Sequence, residues 1–164
     1  MENEHRYDLF MKLIDEFDQG CDLTEEYDAL LHNYNGTILF QAESQMIKMI
    51  GNHPGITASE ISKSFGKTGS ASSQLIRKLK EKGWVRQERN QENNRLYNLY
   101  LTESGSEIYE NHRQFEERCY LRTFHSLDRF SDEDLNTYIA IQRHLNATFH
   151  MDVEESRNLG TKRR

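Results

Sequence analysis

One face of a helix predicted after Thr68 consists of small and hydrogen-bonding side chains. Its members are Gly69, Ser70, Ser73, Gln74 and Arg77. The opposite face is an apolar stripe of Leu75, Ile76 and Leu79. Small side chains let a helix lie close in the major groove of duplex DNA, where amide and guanidinium groups can bond to base edges. The pattern predicts base contacts from Ser70, Ser73, Gln74 and Arg77, with adenine as a partner for Gln74 and guanine or a phosphate for Arg77.

The flanking residues predict the other parts of a winged helix-turn-helix. Thr57 and Glu60 have the spacing of a capping box at the start of a short preceding helix, and Thr68 can cap the helix with the polar face. Two later segments, 85–89 and 96–101, alternate in the way that strands do. The polar residues 90–94 between them predict a hairpin tip, and Arg95 lies where this tip rejoins the second strand.

The charge of this module differs from that of the remaining chain. Nine basic and three acidic residues between Lys63 and Arg95 give +6, so the remainder of a chain whose total is -6 carries -12. A basic module on an acidic body is typical of a protein that binds DNA through the module alone. We predict phosphate contacts from Ser62, Lys63, Lys67, Thr68 and Lys78. The predicted hairpin adds Arg86, Arg89, Asn93 and Arg95 to the DNA-binding set.

Composition and motifs argue against several other classes. A chain of 164 residues that is 35% hydrophobic is typical of a globular domain, and we find no membrane-spanning run and no signal peptide. We therefore expect the cytoplasm. The cysteines are Cys21 and Cys119 alone, which argues against a disulfide framework. Because there is no nucleophile elbow, phosphate loop or paired metal motif, we expect neither an enzyme nor a cofactor.

The pattern predicts a mainly α fold with a small β-hairpin wing, in four parts. Residues 1–40 are predicted to form two dimerisation helices, 4–19 and 23–34, with a break at Gly20-Cys21-Asp22 and a turn at Asn35-Gly36. Residues 41–102 are the winged helix-turn-helix. Residues 103–153 are two C-terminal dimerisation helices, the second capped by Ser131 and Asp134, and 154–164 are a polar, mobile tail. Two helices this long have more apolar surface than a small module can cover, so we expect the terminal helices to pack between two chains.

The order of these elements, together with four short motifs, resembles the MarR family of bacterial transcriptional regulators. The motifs are Pro54-Gly55-Ile56-Thr57, Leu79-Lys80-Glu81-Lys82-Gly83-Trp84-Val85, Asn93-Asn94-Arg95 and Leu101-Thr102-Glu103-Ser104-Gly105. In that family an Arg at the position of Arg95 enters the minor groove, and Asn93 occupies the position of an Asp that orients it. The resemblance implies a homodimer that binds a pseudo-palindromic operator with two helices in successive major grooves. It also implies a repressor that a small ligand or an oxidant releases from DNA.

Residues that could sense an effector are spread along the chain. Six aromatic residues could line a small-molecule pocket between the dimer helices and the DNA-binding lobe, or could be ordinary core: Tyr7, Phe10, Tyr27, Tyr34, Phe40 and Tyr109. Cys21 is a candidate oxidant sensor. It could also approach His32 and His112 in a metal site, although no histidine pair has metal-binding spacing; solvated or core histidines are the alternative. For the whole module, the alternative function is recognition of a protein, which a flat response of DNA binding to salt would favour.

Overall fold

The computed structural model of the chain describes residues 2–65 and 68–161. It divides into two compact units, residues 1–117 and 118–164. The elements in order are α1 (Glu2–Ala29), β1 (Leu31–Tyr34), β2 (Thr37–Phe40), α2 (Gln41–Asn52), α3 (Ala58–Phe65), α4 (Gly69–Glu81), β3 (Val85–Arg89), β4 (Tyr97–Leu101), α5 (Glu103–Ser126) and α6 (Asp132–Thr161). The predicted fold class, mainly α with a small β-hairpin wing, is confirmed.

The core of the first unit joins residues from both hairpins and from α2 to α5. Its fully or nearly buried apolar members are Tyr34, Leu39, Met46, Ile47, Ile50, Ile61, Ile76, Leu79, Val85, Leu99 and Ile108. In α2, Ile50 lies four residues after Met46 and three after Ile47, so the three share one helical face. In α4, Ile76 and Leu79 do the same, and this orients the opposite face of α4 outward.

The wing is the antiparallel pair β3–β4, in which Val85 pairs with Leu101 and Arg89 with Tyr97. A backbone bridge between Thr57 and Asn98 ties the start of α3 to this sheet. Gly105, in the first turn of α5, is buried against Trp84, and a β-carbon at this position would overlap the carbonyl oxygen of Trp84. The wing is therefore fixed to both α3 and α5.

The N-terminal region differs from the prediction. α1 continues through Gly20 as one helix, and residues 31–40 form a hairpin, β1–β2, with Leu31 paired to Phe40 and Tyr34 to Thr37. The predicted break at Gly20 and the predicted second helix as far as Tyr34 are both wrong. A glycine inside a helix costs only about 1 kcal/mol, which a long helix tolerates. The two-residue turn has φ of 52° at Asn35 and 93° at Gly36, the left-handed conformation that an Asn-Gly hairpin turn requires.

The second unit contains the end of α5 and the whole of α6. Ser131 and Asp134 form the predicted capping box: the Asp134 amide donates to Ser131 Oγ (3.2 Å), and the Ser131 amide donates to Asp134 Oδ2 (2.9 Å). α6 continues to Thr161, so the helix extends into the segment that we expected to be a mobile tail. Among the described residues, no helix combines the length and the apolar character that crossing a membrane requires.

Candidate nucleic-acid interface

The N-terminal half of α4 presents a polar face to solvent. The Thr68 hydroxyl caps the helix by accepting from the Ala71 amide (3.3 Å). On the inner face Ser72, Ile76 and Leu79 are buried. On the outer face the four residues predicted to contact bases are all exposed: Ser70, Ser73, Gln74 and Arg77. Their side chains reach outward because the apolar stripe anchors the other side of the helix in the core.

The outer face of α4 and the wing line one groove of about 410 Å³. Ser73, Arg77 and Lys80 contribute from α4, and Arg95 contributes from the end of the wing tip. Thr57 and Ser59, from the start of α3, and Gln87 of β3 also line it. The fold thus brings Arg95 beside the polar face of α4, although the two are far apart in sequence.

Asparagine side chains brace the tip of the wing. Asn90 Oδ1 accepts from the amides of Glu92 (2.9 Å) and Asn93 (2.8 Å). Asn90 Nδ2 donates to Asn98 Oδ1 across the hairpin (3.0 Å). Asn93 Oδ1 accepts from the backbone amide of Arg95 (3.1 Å). Asn93 therefore shapes the turn before Arg95 and leaves the guanidinium exposed.

The cations of this surface differ in how far they are neutralised. Arg77 lies 3.7 Å from Glu81, but both side chains are at least 70% exposed, so the pair is weak. Arg86 pairs with Glu88, and its guanidinium lies 4.7 Å from the centre of the Tyr100 ring. Within the described part of the chain, the exposed side chains of Lys63, Arg89 and Arg95 have no ion pair. These three side chains are therefore available to contact a ligand.

The remaining predicted phosphate contacts are less uniform. Ser62 is half-buried, and its hydroxyl donates to the Ala58 carbonyl (2.9 Å). Thr68 is exposed beside the start of α4. Lys67 lies outside the described residues. Lys78 is bound to a carboxylate, that of Glu43, which the sequence prediction did not include.

Glu43 is a buried carboxylate between the start of α2 and the end of α4. Its residue is 3% exposed. Oε1 accepts from Lys82 Nζ at 2.7 Å and pairs with Lys78 Nζ at 3.0 Å, while Oε2 accepts from the Phe40 amide at 3.1 Å. Burial alone would raise the pKa of Glu43, but the bonds from Lys82 and Lys78 outweigh it and lower the pKa below its usual value. The sequence places Glu43 three residues after Phe40, as a helix cap requires. Lys78 and Lys82 are too distant from Glu43 in sequence for a local pattern to predict their pairing with it.

The six aromatic residues predicted to line a ligand pocket are spread over several places. Tyr27 and Tyr34 both lie near His32, with ring centroids 4.2 and 6.1 Å away. Tyr7 and Phe10 are neighbours on the exposed side of α1, 6.0 Å apart. Tyr109 donates to Asn52 Oδ1 (2.7 Å). Phe40 is exposed, with Lys78 Nζ 5.7 Å from its ring.

The candidate sensor residues differ in their exposure to solvent. Cys21 is exposed on α1. His112 is buried, and its ring lies 5.0 Å from that of Tyr34, while His32 Nε2 lies 2.9 Å from the Tyr27 carbonyl oxygen. Burial lowers the pKa of His112 despite the Glu116 carboxylate nearby. Among the described residues, no three metal-binding side chains converge.

Comparison with known proteins agrees with this geometry. The MarR family model matches residues 40–96, which include α2, α3, α4 and most of the wing. This segment is a MarR-family winged helix-turn-helix, and the resemblance of the whole chain to that family's fold is confirmed by solved structures. No curated protein sequence is significantly similar to the chain.

Three of the similar solved structures illustrate the shared fold. FabT from Streptococcus pneumoniae, in complex with DNA, is 20% identical and has a TM-score of 0.66, covering 88% of this chain and 97% of its own. ZitR, a zinc-responsive MarR family member from Lactococcus lactis, is 19% identical with a TM-score of 0.71, covering 85% and 99%. MepR from S. aureus, in complex with DNA, is 21% identical with a TM-score of 0.55, covering 86% and 95%.

Proposed function

We propose that the chain is a sequence-specific regulator of transcription, most simply a repressor, that binds duplex DNA through α4 and the wing. The observation that carries the proposal is the groove in which Ser73 and Arg77 of α4 face the same space as Arg95 of the wing. A polar helix face recognises base edges in a major groove, and an arginine beside it reaches a flanking minor groove. FabT and MepR, which share the fold, have been crystallised with DNA.

Charge supports the same surface. The segment from Lys63 to Arg95 carries +6 in a chain of -6. Of the exposed cations, Lys63 lies on α3, before the polar face of α4 in the sequence. Arg89 and Arg95 lie on the wing, which follows α4. Phosphate contacts from such residues supply affinity and orientation, while the polar face supplies discrimination.

We propose that the functional form is a homodimer. α1 exposes large apolar side chains, including Tyr7 (62%) and Leu23 (59%). Considered by itself, the second unit exposes Tyr138 (62%) and Phe124 (63%) along its helices. Helices that leave this much apolar surface in water are typical of interfaces between chains. A two-fold dimer would give two copies of α4, and the operator would then be pseudo-palindromic.

We further propose that a small ligand releases the dimer from DNA. The proposal rests on the family resemblance. Tyr27 and Tyr34, which both lie near His32, are one pair of the predicted aromatic set that the first unit brings close together. A screen for compounds that weaken binding to the selected site would test this step.

The proposed function can be tested by selection from a random duplex library with the purified protein, at two salt concentrations. We expect enrichment of a two-fold-symmetric site with half-sites about one helical turn apart, or roughly 10 base pairs. Failure to enrich any sequence at low salt, with the protein folded, would refute the proposal for the ligand-free state. Enrichment of an asymmetric site would refute the dimer while keeping the DNA-binding function. Binding to a protein with little dependence on salt would favour the alternative, a winged helix that recognises protein.

A further inference from the structure

The recognition helix α4 is attached at its C-terminal end by one buried carboxylate. Glu43 Oε1 meets Lys82 Nζ at 2.7 Å and Lys78 Nζ at 3.0 Å. The Glu43 side chain is 4% exposed, whereas those of Lys78 and Lys82 are 49% and 32% exposed. The carboxylate is thus enclosed by the protein, and the two lysines extend over it from the solvent side.

The second carboxylate oxygen fixes Glu43 to the backbone just before α2. Oε2 accepts from the Phe40 amide at 3.1 Å, which is the first free donor of α2. Glu43 has no freedom to follow the lysines outward without losing this bond. The position of Glu43 therefore determines where the two ammonium groups lie, and with them the last turn of α4.

Aromatic rings also lie close to the same two lysines. Lys78 Nζ lies 5.7 Å from the centre of the Phe40 ring, and Lys82 Nζ lies 4.5 Å from that of Trp84. Both distances are within the range of a cation–π contact. Each ammonium therefore lies close to both a carboxylate and a ring.

This arrangement determines which cations of α4 can reach DNA. The Glu43 carboxylate lowers the net charge of the two lysines from +2 to +1, so the field that they exert at a phosphate is weaker than that of two free lysines. Moving one ammonium to a phosphate would take away one of the two partners of the buried Glu43, and moving both would leave it unpaired, which is strongly unfavourable. Arg77 carries no such restraint, because its partner Glu81 is itself exposed.

We propose that Glu43 is a positioning residue for DNA recognition: it fixes the end of α4 and withholds Lys78 and Lys82 from phosphates. Sequence-independent attraction from α4 is thereby reduced, and discrimination rests on the polar face. This inference depends on the proposed DNA-binding function and replaces the earlier prediction that Lys78 contacts a phosphate.

The test compares salt dependence in four variants of the full chain. Fluorescence anisotropy would give the affinity for the selected site and for a random duplex between low and moderate salt. In Glu43→Gln, which keeps the size of the side chain, the slope of log affinity against log salt on random DNA should steepen by about 0.9 for each freed lysine that reaches a phosphate. The ratio of specific to random affinity should fall.

Lys78→Gln and Lys63→Gln form the matched pair. Lys63 has no ion pair within the described part of the chain, so its loss should make the slope shallower by about 0.9 per protomer. Lys78→Gln should change the slope much less than Lys63→Gln does, because Lys78 shares the Glu43 carboxylate with Lys82 and Lys63 has no such partner. Adding Lys78→Gln and Lys82→Gln to Glu43→Gln should restore the wild-type slope, which a purely structural role for Glu43 would not produce.

Two results would overturn the inference while leaving the proposed function intact. One is a Glu43→Gln protein that is folded by circular dichroism and has the slope and affinity ratio of the wild type. The other is a Lys78→Gln protein whose slope falls as far as that of Lys63→Gln. If the wild-type protein bound no duplex DNA at all, that result would instead refute the proposed function.

A measurement without DNA tests the anchor itself. Lysines would be methylated reductively with isotope-labelled formaldehyde, and the labelled methyl groups would be followed by NMR. In the wild type, Lys78 and Lys82 should be modified more slowly than Lys63. Glu43→Gln should remove that difference. Equal rates for the three lysines in the wild type would show that Glu43 holds neither ammonium, and would overturn the inference whatever the protein binds.

Discussion

Replacing Tyr34 by Phe removes one hydroxyl from the core of the first unit. Tyr34 is fully buried, and its hydroxyl meets Gln41 Oε1 at 3.1 Å and Ser44 Oγ at 3.0 Å. Ser44 keeps a bond to the Gln41 carbonyl at 2.9 Å in the variant, so its own hydroxyl stays paired. The loss is therefore that of one buried hydrogen bond, or about 1–2 kcal/mol of unfolding free energy.

Two further variants separate the hydroxyl from the ring. Tyr34→Ala also removes ring packing against His112 and Phe115, whose centroids lie 5.0 and 5.1 Å away, and should cost about 3–5 kcal/mol. Tyr109→Phe is the matched control, because its hydroxyl bond to Asn52 is exposed; it should change stability by about 0.5 kcal/mol or less.

The assay is urea unfolding followed by circular dichroism. All variants must be compared at one protein concentration, because association of chains makes apparent stability depend on concentration. If Tyr34→Phe were no less stable than Tyr109→Phe, the Tyr34 hydroxyl would not be bonded in a dry site. The hydrogen bonds from Tyr34 to Gln41 and Ser44 would then not join the β1–β2 hairpin to α2.

The other predictions concern the DNA-binding module. Gln74→Ala should cost roughly 1–3 kcal/mol on the selected site and little on random DNA in a binding titration; equal losses on both would make Gln74 a backbone contact. Arg95→Ala should weaken binding and remove preference at flanking A·T positions in a repeated selection, and an unchanged preference would contradict a minor-groove role. Gly105→Ala should lower the unfolding free energy by about 1–3 kcal/mol, since its β-carbon would overlap the Trp84 backbone; wild-type stability would show that the backbone yields. The lowered pKa of Glu43 means that its contribution to stability is complete above the usual carboxyl value of about 4.3 and is lost as pH falls through the lower folded value. Acid titration of stability should therefore be shallower in Glu43→Gln, and an identical curve would contradict the pairing.

Local signals made the winged helix-turn-helix predictable. The Thr57 hydroxyl accepts from the Glu60 amide (3.4 Å), and Glu60 accepts in return from the Thr57 amide (2.8 Å). The cap at Thr68 and the apolar stripe of α4 were likewise visible in residue types a few positions apart. Such features are decided within one helical turn, so a sequence is sufficient to predict them.

The N-terminal hairpin was missed because two patterns compete in residues 23–40. Tyr27, Leu30, Leu31 and Tyr34 have helical spacing, yet the chain turns at Asn35-Gly36 and pairs Leu31 with Phe40. His32, Tyr34 and Leu39 then face the core. Burial of Tyr34 among residues from α2 and α5 favours the strand, and this packing depends on contacts that no local window contains.

Glu43 was missed for a different reason. Its acidic residue type at the start of α2 fits an ordinary helix cap, which it also forms. Its pairing with Lys82, 39 residues further on, exists only because α2 and α4 pack together. Long-range ion pairs of this kind follow from the fold and have no signature in spacing.

The central claim, that α4 and the wing form the surface that contacts DNA, is tested most directly by NMR. Amide spectra of the labelled protein would be recorded with and without a duplex of about 20 base pairs, or roughly two helical turns, at low salt. We predict that the shifted amides lie in residues 68–77 and 86–97, with few changes along α6. Shifts confined to α1 or α6, or no shifts at all in a folded protein, would contradict the account.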